Sequence, residues 1–202
     1  GGLAPMADGA RPGTSAGGRN ALRNDLGHPN EYIRGATMRF IAKLKEAEIL
    51  EPLLPMIRQA LSDKHAYVRR AAVLEPFNVV KYNVELSAIA PDAISESVTT
   101  EGDATALRNA FLFLMHCARE RAVDYLGRIL DQVPGMGEVI QLSVLELIRK
   151  VVRSAPGERG KYIKCIFDLL QSSSGAVKFE AAATLLALSS APAALRAAAG
   201  AF

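Results

Sequence analysis

Residues 28–46 read HPNEYIRGATMRFIAKLKE and have the form of one amphipathic helix with its own start signal. Pro29 suits the first turn because proline has no backbone N–H to lose there, and Glu31 suits the positive end of the helix dipole. Apolar or small residues then recur at the period of an α-helix. They predict a buried face made of Ile33, Ala36, Thr37, Phe40, Ile41 and Leu44.

The same form returns three times along the chain. Residues 64–72 and 103–111 repeat it closely, and residues 174–182 repeat it more loosely. The first apolar residues of the four copies, Ile33, Val68, Leu107 and Val177, lie 35, 39 and 70 residues apart, so the last step is two periods. A period of this length is typical of stacked helical repeats.

Each copy is followed by a second apolar pattern that predicts an antiparallel partner helix. Ile49–Leu61 forms the first partner, in which Pro52 and Pro55 lie close enough to the start to cost little. In the second copy, Pro76 predicts a kink or an end near Glu75. We therefore expect residues 78–100 to be the least regular part, with the next helix beginning at residues 89–92 and burying Ala93, Ile94 and Val98.

The second half of the chain continues the pattern. Helices are predicted at residues 104–118, 121–133, 138–154, 159–170 and 176–188, with another beginning at Pro192. The helix at 138–154 is apolar nearly all round, which predicts that neighbours pack on several of its sides. The chain is thus predicted to be an all-α solenoid of HEAT or armadillo type, with about nine helices and no strand. It spans residues 20–202 without terminal capping repeats, after a glycine-rich, disordered or non-native lead at 1–19.

Composition argues against several classes of protein. The 202 residues include 24 bases and 21 acids, no Trp, five Tyr and seven Phe, which disfavours a nucleic-acid surface. Cys117 and Cys165 are interpreted as buried free thiols of a reducing compartment. No apolar run reaches the ~18–20 residues of a membrane span, and the N-terminal residues lack a secretory pattern, so an intracellular soluble protein is expected.

Few residues are arranged for catalysis or metal binding. His28 and His65 occupy matching positions at repeat starts, where helix capping is favoured over metal binding. His116 and Cys117 are adjacent on a helix and point about 100° apart, which does not suit a catalytic dyad. Val133–Gly137 is interpreted as a helix–helix turn and not a phosphate loop. Ser172–Ser174 is interpreted as a turn that supplies a helix cap. We predict no catalytic, cofactor-binding or metal-binding residue.

One polar pattern follows the repeats: a base at Arg34, Arg69, Arg108 and, approximately, Lys178. In the structural interpretation, each base bonds a carboxylate or a carbonyl of the neighbouring repeat. In the functional interpretation, the bases form a stripe on the concave face that receives an acidic partner. The sequence favours the first interpretation, and no protein-binding residue can be assigned from it.

Four blocks of sequence resemble a known family. They are LRNDLGHPNEYIRGATMRFIAKLKEAEILEPLLPMIRQAL at 22–61, RNAFLFLMH at 108–116, AVDYLGRILDQV at 122–133 and LLQSSSGAVKFEAAATLLALSSAP at 169–192. In collinear order, and over about residues 20–200, they are similar to the adaptin-like N-terminal trunk of the coatomer β-subunit family. The segment after Glu75–Pro76 departs from the regular helical pattern of that family.

The resemblance implies a structural subunit of the COPI vesicle coat, which is not an enzyme. It implies contacts with other coatomer subunits, above all the δ subunit, and with an Arf-type GTPase in its GTP form. It also implies a cytoplasmic protein, peripheral on Golgi membranes and COPI vesicles, that serves Golgi-to-ER and intra-Golgi transport. No nucleic acid and no small-molecule substrate is expected. The alternative is a generic HEAT-repeat binding scaffold, such as a transport receptor or the large chain of another coat adaptor.

Overall fold

The computed structural model describes residues 16–44, 46–82 and 84–200, and its described residues form helices and turns without a strand. The α-helices, in chain order, are α1 (Ala16–Leu26), α2 (Glu31–Ile41), α3 (Ala47–Leu50), α4 (Leu54–Ala60), α5 (Ala66–Tyr82), α6 (Val84–Thr100), α7 (Ala104–Cys117), α8 (Arg119–Ile129), α9 (Glu138–Ser154), α10 (Arg159–Leu169), α11 (Gly175–Leu188) and α12 (Pro192–Ala199). Short 3-10 turns occupy Glu51–Leu53, Val133–Gly135 and Pro156–Glu158. The predicted all-α class is confirmed.

All four repeat copies begin a helix, as predicted. The caps differ in chemistry: Asn30 accepts a hydrogen bond from the N–H of Tyr32, Asp103 from those of Thr105 and Ala106, and Ser174 from that of Val177. Such side chains satisfy backbone donors that have no partner inside the first turn. Helix α1 begins at Ala16, so four residues of the predicted lead are helical, and residues 1–15 lie outside the described residues.

The prolines act differently from the prediction at both places where they matter. The single helix predicted at Ile49–Leu61 is wrong: α3, a 3-10 turn and α4 replace it, because Pro52 and Pro55 each occupy the start of a new segment. The helix end predicted near Glu75 and the helix start predicted at 89–92 are also wrong, whereas the kink predicted as the alternative to an end stays a prediction. Helix α5 continues past Pro76 to Tyr82, and Pro91 lies inside α6.

A proline inside a helix removes one hydrogen bond and costs about 3 kcal/mol, but packing of the turns beyond it can outweigh that cost. In α6 the turns after Pro91 bury Ala93, Ile94 and Val98, as the sequence predicted for these three residues. Residues 78–82 and 84–100 are consequently helical and not the irregular segment expected.

The chain divides into two compact units, Gly1–Ala90 and Pro91–Phe202. In the first unit, α2 packs mainly against α5 and also against α1. Ile41 is fully buried, as predicted, and so is Met38, which was not predicted. Phe40 is 53% exposed and Ala36 is exposed too, so the prediction is wrong for these two residues. The buried face of α2 is therefore rotated toward Met38, and Phe40 lies outside it.

In the second unit, α9 packs against α7, α8, α10 and α11, which confirms its predicted central place. Leu145, Leu147 and Ile148 are fully buried, and each such side chain contributes about 1.5–3 kcal/mol relative to an exposed one. The partner helix α8 buries the predicted residues Ala122, Tyr125, Leu126 and Ile129.

Candidate functional site

Arg34 holds together the starts of the first two repeats. Its Nε donates to Asp63 Oδ2 at 2.8 Å and its Nη2 to Asp63 Oδ1 at 2.9 Å, which is a two-pronged ion pair. The Nη1 of the same side chain donates to the carbonyl oxygens of His28, at 2.8 Å, and Pro29, at 3.0 Å. The two charged side chains are only 11% and 13% exposed. Arg34 thus joins the turn before α2 to the turn before α5.

The electrostatics of this pair favour both charged forms. The hydrogen bond to Asp63 raises the pKa of Arg34, in spite of the opposing effect of burial. Burial by itself would raise the pKa of Asp63, but the hydrogen bonds from Arg34 and from the backbone N–H of His65 outweigh it and hold that pKa below its usual value. The pair is therefore ionised in the folded protein at neutral pH.

Arg69 repeats part of this arrangement one repeat later. Its Nη1 donates to the carbonyl oxygens of Asp63, at 2.8 Å, and Lys64, at 3.2 Å, six and five residues before it. Arg34 reaches the carbonyl oxygens of His28 and Pro29 at the same sequence distances. The structural interpretation of the base pattern is confirmed at Arg34, which bonds the Asp63 carboxylate of the next repeat. These two contacts of Arg69 lie in the turn before its own helix and not in a neighbouring repeat.

The pattern of bases does not extend to Arg108, because Arg108 lies one residue further from the start of its helix than the other bases do. Arg34, Arg69 and Lys178 each lie four residues after the residue that precedes a helix, but Arg108 lies five residues after Asp103. One extra residue turns a side chain by about 100° around the axis. Arg108 is accordingly exposed, and its contact in its own helix is a long one, 3.4 Å from Nη1 to Asn109 Oδ1. Among the described residues, Arg108 makes no bond to a neighbouring turn, in contrast to the prediction.

Gln141 occupies the corresponding position of α9, four residues after Gly137, and sequence reasoning missed it. Its buried Nε2 donates to the carbonyl oxygens of Pro134 and Met136, both at 2.9 Å, and of Val133, at 3.3 Å. Its Oε1 accepts from Ser172 Oγ at 3.2 Å, in the turn before α11. Counting residues from the helix cap, not from the first apolar residue, would have found it.

Arg149 was also missed, because it lies deep inside α9 and outside the repeated start motif. Its Nη1 donates to Glu180 Oε2 at 2.6 Å and to Thr184 Oγ1 at 2.8 Å on α11. Thr184 is fully buried, so the guanidinium satisfies a hydroxyl that has no access to water. Arg149 thus adds a second polar link from α9 to the next repeat, beside the one that Gln141 makes to Ser172.

The remaining candidate residues act in turns. His28 Nδ1 accepts a hydrogen bond from the N–H of Asn30 at 3.0 Å, so His28 orders the turn before α2, but the cap of that helix is Asn30 and not His28 as predicted. In the turn before α5, Asp63 Oδ1 accepts from the His65 N–H at 2.8 Å. Val133–Gly135 is a helix–helix turn and Ser174 caps α11, both as predicted.

The two thiols differ. Cys165 is buried, as predicted, and burial raises its pKa to about 11. The prediction that Cys117 is buried is wrong: it is exposed at the last residue of α7, where Leu114 and Met115 fill the packed positions. Among the described residues, no cluster of His, Cys, Asp and Glu could hold a metal ion, and no helix combines the length and apolarity that crossing a bilayer requires.

Comparison with known proteins shows to which family this helical architecture belongs. The family model described as the adaptin N-terminal region matches residues 19–202. The chain belongs to the adaptin N-terminal family. A match over nearly the whole sequence agrees with the helix pairs and with the polar contacts between their turns.

Within that family, the adaptin-type chain is similar in sequence to individual proteins of one kind. It is 55% identical over 183 residues to Coatomer subunit beta of Dictyostelium discoideum, covering 91% of this chain and 20% of that protein. It is 52% identical over 180 residues to Coatomer subunit beta of Sus scrofa, covering 89% of this chain and 19% of that protein. The chain thus spans about one fifth of the length of the curated relatives it matches.

A solved structure confirms the fold class alone. A designed armadillo repeat protein, 14% identical, superposes with a TM-score of 0.54 over 90% of this chain and 97% of that chain. The chain is therefore an α-helical repeat protein of the armadillo or HEAT kind.

Proposed function

We propose that the chain is part of a β subunit of coatomer and forms part of the scaffold of the COPI vesicle coat. The observation that carries this proposal is the identity of 55% and 52%, sustained across about nine tenths of the chain, to two proteins named Coatomer subunit beta. The family match alone would fit the large chain of another coat adaptor equally well.

The physical character of the chain supports a scaffold and not a catalyst. Four polar side chains that are buried or partly buried, Arg34, Asp63, Gln141 and Arg149, bond turns and helices of neighbouring repeats. Groups used in this way are not free to take part in catalysis. Helical repeats also offer long surfaces for weak, extended protein contacts, which suits a coat that assembles and disassembles.

In the finer form of the proposal, the chain contacts the δ subunit and an Arf-type GTPase in its GTP form. It acts in the cytoplasm, peripherally on Golgi membranes and COPI vesicles, in Golgi-to-ER and intra-Golgi transport. Neither nucleic acid nor a small-molecule substrate is part of this function, and no enzymatic step is proposed.

A pull-down with purified proteins tests the proposal. The immobilised chain is incubated with the δ subunit, with the GTPase loaded with GTP or GDP, and with the medium subunit of a different coat adaptor as matched control. We expect retention of the δ subunit or of the GTP-loaded GTPase, but not of the control. Retention of the control alone would contradict the coatomer assignment and favour another adaptor.

A further inference from the structure

A groove lies on the second unit, where α9 ends, α10 begins, α11 ends and α12 begins. It consists of two adjoining cavities of about 510 and 310 Å³, which share Arg159 and Leu188 in their linings. Ligand sites in proteins commonly have volumes in this range. We give the name α9–α12 groove to the residues that line these two cavities.

The larger cavity has an apolar floor that lies below the surface. Leu185 is fully buried, Ala194 is 4% exposed and Leu188 6%, whereas Phe167 at the edge is 37% exposed. A partner therefore has to insert a side chain into the groove to contact the floor. Insertion of an apolar side chain is favourable because it removes apolar surface from water.

The smaller cavity is lined by arginines. Arg149, Arg153 and Arg159 line it, and among the described lining residues of either cavity none is acidic. Arg149 already donates to Glu180 and Thr184, so it is not available to a partner. Arg153 and Arg159 are exposed, and within the described part of the chain neither side chain takes part in a hydrogen bond or an ion pair.

Acids close in sequence to these two arginines pair with other bases. Glu158 pairs with Lys161, and Glu146 pairs with Lys150. A guanidinium group attracts a carboxylate and forms two parallel hydrogen bonds with it. The charge that complements the groove is therefore an acidic group from a partner.

The shape of the groove favours a protein segment over a membrane. A bilayer is flat at this scale, so it would touch the exposed edge at Arg159 and Phe167 but not the floor at Leu188. A lipid drawn out of its bilayer would lie in an open groove with its acyl chain still partly in water. A nucleic acid supplies phosphates for the arginines but no apolar side chain for the floor. A peptide supplies both an acid and an apolar side chain.

We propose that the α9–α12 groove binds a protein segment in which an acidic residue lies close to a large apolar residue. The carboxylate pairs with Arg153 and Arg159, and the apolar side chain packs on Leu185, Leu188 and Ala194. This interaction surface is independent of the function proposed above, because it is argued from the groove and not from the similarity to coatomer subunits.

The test starts from a displayed library of random peptides selected on the purified chain, and the affinities of the selected peptides are measured by fluorescence anisotropy. We expect these peptides to be enriched in acidic and in large apolar residues and to bind more weakly as the salt concentration rises. Arg153→Gln and Arg159→Gln should each weaken binding about tenfold, as the loss of a charge-assisted hydrogen bond does. Ala193→Trp, which fills the larger cavity from an exposed position, should weaken binding at least as much.

The matched controls lie on α12 at positions that do not line the groove. Arg196→Gln removes an exposed charge, and Ala199→Trp adds the same large side chain to the same helix. Both controls should leave the affinity unchanged. Thermal unfolding shows whether each variant is folded, and Ser190→Trp, at another exposed position of the lining, replaces Ala193→Trp if that variant is not.

Three results would overturn the inference. In the first, no selected peptide loses affinity when the groove is changed at Arg153, Arg159 and Ala193. In the second, the peptides that lose affinity contain no excess of acidic and of large apolar residues. In the third, phosphatidylserine vesicles bind with the same dependence on these three residues while acidic peptides do not bind, which would identify the groove as a lipid site.

Discussion

Asp63 is a single carboxylate that serves two repeats at once. Its two oxygens accept from Arg34 in the first repeat, and Oδ1 also accepts from the His65 N–H at the start of the second. Its own carbonyl oxygen accepts from Arg69. Because these groups are mostly shielded from water, losing the carboxylate charge leaves Arg34 without its ionic partner.

Asp63→Asn should lower the free energy of unfolding at pH 7 by about 1–3 kcal/mol. The folded-state pKa of Asp63 is below its usual value. The carboxylate therefore stabilises the wild type fully above the ordinary aspartate pKa of about 3.9, and this stabilisation is lost as pH falls through the lower, folded-state pKa. Urea unfolding of both proteins between pH 7 and pH 2.5 measures the difference.

The difference between the two proteins should thus be constant from pH 7 to about 5 and shrink as the solution becomes more acidic. Asp131→Asn is a suitable control, since the Asp131 carboxylate is 88% exposed and its contact with Lys164 is correspondingly weak. A loss at Asp63 no greater than at Asp131 would contradict the role assigned to the Arg34 pair.

Single residues also show where sequence reasoning succeeds and where it fails. The pairing of Arg34 with the turn of the next repeat could be predicted because the helix start, the base and the period all recur. Arg108 was misplaced because alignment on an apolar residue ignores where the helix begins. Phe40 and Cys117 were misplaced because apolar character alone does not tell which of two adjacent helix positions is covered.

At the scale of elements, the turn between α8 and α9 depends on the Gln141 side chain. Three carbonyl oxygens of that turn point at one amide nitrogen. A carboxylate in the same place would present oxygen to oxygen and would have no proton to donate. The turn is therefore stabilised by glutamine but not by ionised glutamate, although the two side chains have nearly the same shape.

Gln141→Glu should destabilise the protein at pH 7, by about 2–4 kcal/mol, because an ionised group would be buried against carbonyl oxygens. Burial would raise the folded-state pKa of the new carboxyl above its unfolded value of about 4.3. The raised pKa means that the destabilisation grows as pH rises above 4.3 and is relieved at lower pH, where the neutral acid donates a hydrogen bond. Thermal unfolding measured from pH 3.5 to 8 follows this change in stability.

The uncharged variant Gln141→Met is the control for the carboxyl. It removes the same hydrogen bonds without adding a titrating group, so its stability relative to wild type should not change with pH. Parallel pH profiles for the two variants would show that the carbonyl oxygens do not surround residue 141 as described.

Helices with a full apolar pattern could be predicted almost to the residue, as the bounds of α9 show. The bounds of helices that contain proline could not be predicted in this way. Proline weakens a helix locally by a known amount, but whether the helix continues depends on what the next turn buries. In α6 that turn buries Ile94 completely, which is tertiary information that no local pattern contains.

At the scale of the whole molecule, the loss of one polar link should destabilise mainly the two repeats that it joins, because each link connects adjacent repeats. Asp63→Asn should therefore speed backbone hydrogen exchange in α2 and α5 more than in α9 and α11. Arg149→Met, which removes the link to Glu180 and Thr184, should do the reverse. Exchange measured by mass spectrometry on peptic fragments distinguishes the two patterns.

An equal increase in exchange along the whole chain for both variants would show a single cooperative unit instead.

The repeat architecture itself could be predicted from a period of 35–39 residues. The division near residue 90 could not, since it reflects the density of contacts and not a change in sequence pattern.

The close packing at Gly35 also affects the order in which this sequence can change. A Cβ atom at position 35 would lie 2.5 Å from Cε1 of the Tyr67 ring, so a side chain there forces the ring to shift, whereas a smaller residue at position 67 leaves Gly35 in place and harmless. A lineage that acquires alanine at position 35 while it keeps Tyr67 must displace that ring, but a lineage that has first lost the tyrosine need not. Substitutions at these two positions, 32 residues apart, therefore disturb the packing in one historical order and not in the other.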